Sequence, residues 1–200
     1  MKNMSRIFFL IIIVCSVTAQ MYAQNKALLL IDIQDFYFSG GDVPLDNPKA
    51  AALNAGLLLE QFRKSGDLVI HVRHNYEPGG EIHQYVSPSS QEIVISKDHV
   101  NAFRNTDLDL ILKEHEVSDL FICGMQTHMC LEAAVRAASD LEYNVAVVGD
   151  ACATRALQFG ETIVAADDVH HSTLATLKSY ARIIKVTDYL IESAGESGRQ

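Results

Sequence analysis

Short apolar runs and helically spaced segments take turns along most of this chain. "KALLLIDIQ" is apolar as far as Asp32, the pattern of a strand buried on both faces. "FSGGDVPLDNP" is dense in turn formers and predicts a loop. In "PKAAALNAGLLLEQFRKSG" the spacing predicts a helix, with Asn47 placed to cap it, Pro48 in its first turn and Gly66 at its end. The alternation continues with strand "DLVIHVRH", loop "NYEPGGEIHQYVSPSS", and strand "EIVISK" ending at Lys97. Then come helix "DLDLILKEHEV" behind a Thr106 cap, strand "DLFICG", helical spacing from His128 to Leu141 and strand "YNVAVVGD". Helix "AADDVHHSTLATLKSYA" and strand "RIIKVT" complete the series. Strands joined through helices need right-handed crossovers. The expected fold is therefore α/β, a three-layer structure with a mostly parallel six-stranded sheet and helices on both faces.

Open sheets of this kind bind ligands beyond the carboxyl ends of their strands, near the topological switch point. Three chemically capable side chains fall at such ends: Asp32 after the first strand, Lys97 after the third and Cys130 just beyond the fourth. A cysteine at the start of a helix sits in the positive end of the helix dipole, which favours thiolate. The same residue type also serves as a small buried filler.

Composition narrows the class. Of 200 residues, 48% are hydrophobic and 20% charged, a globular balance large enough for one substantial core. The net charge of −9, with no basic stripe, argues against a nucleic-acid partner. The first residues differ in kind: Lys2 and Arg6 precede an unbroken apolar run and then small residues, the layout of a secretory signal peptide. The expectation is a leader over residues 1–23, cleaved after Ala19 or Ala23, then a single domain over 24–200 with no stable membrane span once the leader is gone. The protein would be exported, periplasmic or secreted. "IIIVC" lacks the small residue that normally precedes a lipidated cysteine, which speaks against lipidation at Cys15. Loss of Cys15 leaves Cys123, Cys130 and Cys152, which cannot all pair. Cys123 and Cys152 lie in or beside apolar strand ends and read as core. Without a Cys-x-x-Cys motif, a thiol redox role is weakly supported.

A nucleophilic thiol needs a base, a feature favouring thiolate and donors for an oxyanion. Asp32 would take the proton of Cys130, and Lys97 would lower the thiol pKa. An amide attacked at its carbonyl would give a thioester and an amine, and water would then release the acid. The eight histidines form no closed ligand set by spacing: His71 and His74 fall on different sides of a strand, and His170 and His171 are adjacent on a helix. No metal site is expected.

"LLLIDIQ", "VISKDHVNAF" and "ICGMQTHMCLEAAVRAA" resemble the three motif blocks of the isochorismatase-like cysteine hydrolases, which include nicotinamidases, N-carbamoylsarcosine amidases and isochorismatases. The resemblance continues through "VVGDACATR" and "VHHSTLATLKSYARIIKVTDYL", so it covers essentially the whole chain after the leader, in order. It implies a parallel-sheet α/β fold, an Asp32–Lys97–Cys130 triad and a cis peptide joining Met125 to Gln126. The backbone N–H groups of Gln126 and Cys130 would face the oxyanion. It also implies a small-molecule substrate, no cofactor, and a homodimer or homotetramer. "HVRHNYEPG" lacks the Asp-x-His ligand pair of metal-dependent nicotinamidases. Because isochorismatases cleave a vinyl ether, the triad alone leaves the bond open, and a silent binding relative is a third possibility. Gln34 and Phe36 just past Asp32, His74, Tyr76 and His83 near the loop after the second strand, and His128 beside the cysteine are the candidate substrate-selecting residues.

Overall fold

The computed structural model describes residues 25–197; the expected leader, including Cys15, lies outside them. Six strands form one parallel sheet: β1 (Lys26–Ile31), β2 (Leu68–His74), β3 (Ile93–Lys97), β4 (Asp119–Met125), β5 (Asn144–Ala153) and, last in the chain, β8 (Arg182–Ile184). β6 (Leu157–Phe159) and β7 (Thr162–Val164) make a separate antiparallel hairpin. The sheet order is β3-β2-β1-β4-β5-β8. The chain therefore winds outward from β1 in one direction and from β4 in the other, and the switch point lies between these two strands.

Right-handed crossovers in opposite directions put helices on opposite faces. α1 (Pro48–Ser65) links β1 to β2 and packs with α5 (Val186–Ser197), where the Phe62 and Tyr189 rings stack 5.1 Å apart. α3 (Glu132–Asp140) links β4 to β5 and packs against α4 (Ala166–Leu177). α2 (Leu108–Glu114) links β3 to β4. The central strand explains the apolar run: Ala27 to Ile31 are buried, covered from both faces. Burial of the leucine and isoleucine side chains among them contributes about 1.5–3 kcal/mol each. Among the described residues no helix is long and apolar enough to cross a membrane.

Local structure departs from the sequence pattern at several points. Asn47 precedes α1 in a left-handed conformation, φ 51°, and makes no side-chain cap; Pro48 supplies the start by lacking an N–H that would need a partner. Gly66 does close α1, at φ 74°, with its N–H bonded to the last carbonyls. The residue flanking α2 is Asp107 rather than Thr106, whose hydroxyl accepts from Leu108 N at 3.4 Å and donates to Ala102 O. β5 runs three residues past Asp150, and neither the β6–β7 hairpin nor α5 was expected.

Candidate active site

The carboxyl ends of β1, β3 and β4 bring Asp32, Lys97 and Cys130 to one buried spot. Asp32 leaves β1 at φ 49°, a left-handed geometry that aspartate tolerates better than most residues. Its N–H still bonds Val72 O at 2.8 Å, so the turn is held by the last rung of the sheet. Lys97 closes β3, where the inward-facing positions are Ile95 and Lys97. β4 ends in a tight exit: Gly124 has φ 131°, and a Cβ there would lie 2.0 Å from Ile31 O. Only glycine lets β1 and β4 approach so closely at the switch point. The Met125–Gln126 peptide beyond it is cis.

Cys130 does not open a regular α-helix. It lies within a π-helical turn, Thr127–Leu131, that runs directly into α3, with Leu131 N bonded to Gln126 O. This one widened turn sits where the chain leaves the sheet. Two side chains fasten it to its neighbours. The Thr127 hydroxyl pairs with His170 Nδ1 of α4 at 3.0 Å, and His128 Nδ1 pairs with the Thr154 hydroxyl just past β5. Half-buried His128 is thus tied to the chain just past β5.

Lys97 Nζ is the hub. It lies 2.7 Å from Asp32 Oδ2, 3.4 Å from Cys130 Sγ and 3.1 Å from His74 Nδ1. Both side chains of the Asp32–Lys97 pair have zero exposure. Asp32 Oδ1 is also buried and has no fixed donor. A carboxylate oxygen of Asp32, a ring nitrogen of His74 and the Cys130 sulfur all lie within 4.8 Å of one another, a set of metal-ligand type. The lysine ammonium already bonds all three donors, so a second cation at that centre would meet it directly.

The thiol is not preformed as thiolate, contrary to the sequence-based expectation. Burial raises the Cys130 pKa, the Asp32 charge raises it further, and Lys97 only partly opposes them, leaving it at about 12. Burial likewise raises Asp32, against the pull of Lys97. One lysine charge balances one anion here, and the carboxylate is the more acidic partner. Cys123 is fully enclosed and Cys152 buried, with thiols pushed up by burial and Cys152 reaching about 12; both are core, as expected.

The other expected residues divide. Gln34 is fully buried, and its amide is taken up by main chain. Its Nε2 donates to His74 O at 2.9 Å and Gly80 O at 2.6 Å, and its Oε1 accepts from His74 N at 2.8 Å. Phe36 and His83 line a cavity of about 440 Å³ with Asp35, Phe38 and Asp42. Tyr76 stacks on Phe36 with ring centres 4.3 Å apart and donates its hydroxyl to Asp42. A second cavity of about 600 Å³, lined by Lys26, Arg63, Leu68 and Glu92, lies at the opposite, amino ends of the strands. Sequence reasoning missed Tyr37, whose buried hydroxyl receives the Gln126 side-chain amide at 3.5 Å. It also missed the pairing of His74 with Lys97. Their positions as last residues of neighbouring strands were the available signal, since His74 and Lys97 are register partners.

A family model for the isochorismatase domain matches residues 26–188. The uncharacterized isochorismatase family protein YddQ of Bacillus subtilis is 43% identical over 179 residues, covering 84% of this chain and 99% of that one. A streptothricin hydrolase of Streptomyces noursei is 30% identical over 165 residues, covering 78% of this chain and 57% of that protein. The crystal structure of an isochorismatase hydrolase from Oleispira antarctica superposes with a TM-score of 0.81 at 39% identity, covering 84% of this chain and 97% of that one. The chain belongs to the isochorismatase family of hydrolases.

Proposed function

We propose that this hydrolase is an exported cysteine hydrolase that opens an amide or related C–N bond of a small molecule through a thioester. The observation that carries the reading is the fully buried Asp32–Lys97 pair with the Cys130 sulfur 3.4 Å from the same ammonium. Support for export comes from the charged, apolar and small-residue segments that begin the sequence. The hydrolase named for streptothricin is compatible with small-molecule cleavage.

In this reading Cys130 attacks the carbonyl as Asp32 takes the thiol proton. Proton transfer accompanies attack because the resting thiol, at about 12, holds its proton at neutral pH. Lys97 keeps the total charge of the pocket balanced: the anion moves from Asp32 onto the substrate oxygen, and the ammonium stays in reach of both. The N–H groups of Gln126 and Cys130 are the donors to that oxygen. Collapse expels the amine, which receives the proton from Asp32, and leaves the acyl group on sulfur. Asp32 then takes a proton from water, which attacks the thioester. Sulfur leaves and recovers a proton, and the acid departs.

The test is a screen of small amides, ureas and carbamoyl compounds for amine or ammonia release, repeated with Cys130→Ala. Full activity in Cys130→Ala would sink the covalent mechanism.

A further inference from the structure

Lys97 has three N–H donors, and the triad uses two of them. The third points at His74 Nδ1, 3.1 Å away. An ammonium only donates, so this nitrogen accepts. The ring is therefore neutral with its proton on Nε2. His74 is held in place from behind: the fully buried Gln34 bonds both its N–H and its carbonyl. The imidazole is half-buried, between the enclosed cluster and the loop outside. We infer that His74 is a positioning residue of the site, whose neutral Nδ1 fixes the Lys97 ammonium between Asp32 and Cys130 and releases it on protonation. This rests on the proposed triad and adds to it an acid-sensitive fourth member.

The charges that face His74 act in both directions. Lys97 on β3 and His99 in the following loop disfavour a second positive charge, whereas Asp32 after β1 and Asp98 beside Lys97 favour it. Burial outweighs them, and the imidazole titrates below its ordinary value of 6.5. At neutral pH the acceptor is intact. Protonation below that range removes the acceptor and sets a cation against Lys97, so the lysine loses its third restraint.

The measurement needs no substrate. The rate of Cys130 alkylation by iodoacetamide is followed by peptide mass mapping, which separates it from Cys123 and Cys152. The wild type is compared with His74→Asn, whose amide oxygen can accept but cannot titrate, and with His74→Leu, which cannot accept. At about pH 7, His74→Leu should react about tenfold more slowly than wild type, and His74→Asn within about threefold. The ratio of wild-type to His74→Asn rates should be constant above about pH 7 and fall as the pH drops below about 6.5. If His74→Leu does not fold, this ratio decides. A ratio independent of pH, or His74→Leu reacting like wild type, overturns the inference. Two further variants separate that failure from failure of the triad. Faster alkylation in Asp32→Asn, where Lys97 is freed to balance the sulfur anion, and slower alkylation in Lys97→Met keep the triad while His74 is discarded; wild-type rates in both discard the triad itself.

Discussion

The Asp32–Lys97 pair gives a stability prediction whose magnitude follows from its enclosure. Lys97→Met keeps most of the side-chain volume but leaves a fully buried carboxyl with no cation. Such a carboxyl is forced to neutralise, because an unpaired buried charge is far more costly than taking up a proton. Protonating at pH 7 a carboxyl whose ordinary pKa is 3.8 costs about 4 kcal/mol. That sets the approximate ceiling for the loss in Lys97→Met. The sign is fixed by linkage: the folded variant binds a proton that the unfolded chain, at ordinary pKa, has released. Its stability therefore falls as pH rises above about 4, by up to about 1.4 kcal/mol per unit, until its own raised pKa is reached. The double variant Asp32→Asn/Lys97→Met removes both charges and should regain most of the loss, with little pH slope. Urea unfolding of the wild type and both variants at pH 5, 6 and 7 measures all of this. A Lys97→Met penalty that is equal at pH 5 and 7, or a double variant as unstable as the single, would refute the charge argument.

Three further outcomes are expected. Gly124→Ala should lose more than about 3 kcal/mol in urea unfolding, since its Cβ would sit 2.0 Å from Ile31 O at φ 131°; a loss under about 1 kcal/mol would show that β1 and β4 can part without cost. Glu92 receives Arg63 through both carboxylate oxygens, bonds His71 and Ser89 N, and is held at about 2. Glu92→Gln should therefore cost about 1–3 kcal/mol, discounted for the exposed Arg63; an unchanged urea midpoint would contradict this. Burial lowers the pKa of His71, His74, His83, His128 and His170 below 6.5, so the unfolded chain takes up more protons on acidification and stability should decline from pH 7 toward 5. Thermal melts across that range test it, and a flat profile would argue that these rings are not enclosed in solution.

The sheet and the three strand-end residues were legible because both are written in local pattern. An apolar run with a polar last residue marks a buried strand and its exit; Asp32 and Lys97 are such exits, and Cys130 follows in the turn just beyond β4. What escaped is set by contacts between distant parts of the chain. Phe159 and Ile163 of the β6–β7 hairpin are 89% and 71% exposed, so its apolar residues follow no core-facing period. Asn47 carries a cap residue's chemistry, but its left-handed backbone points that chemistry elsewhere. Gln34 has the look of a pocket residue by position, yet its amide is consumed by the main chain of His74 and Gly80.

The thiol shows how three residues can be placed together from sequence and still be assigned the wrong charge. A helix start and a nearby lysine both favour thiolate, and sequence displays both. Sequence does not display burial, nor that Lys97 is shared with a carboxylate already inside the protein. One enclosed ammonium can balance one anion, and the 2.7 Å contact gives that anion to Asp32. Burial first, and then the Asp32 charge that leaves a second anion on sulfur uncompensated, push the thiol up to about 12. In the proposed acyl transfer that deficit couples the steps: nucleophilic sulfur would appear only as Asp32 is neutralised, and the lysine's charge would then serve whichever oxygen becomes negative next. A cluster with room for one anion at a time would hand it from carboxylate to substrate without ever holding two.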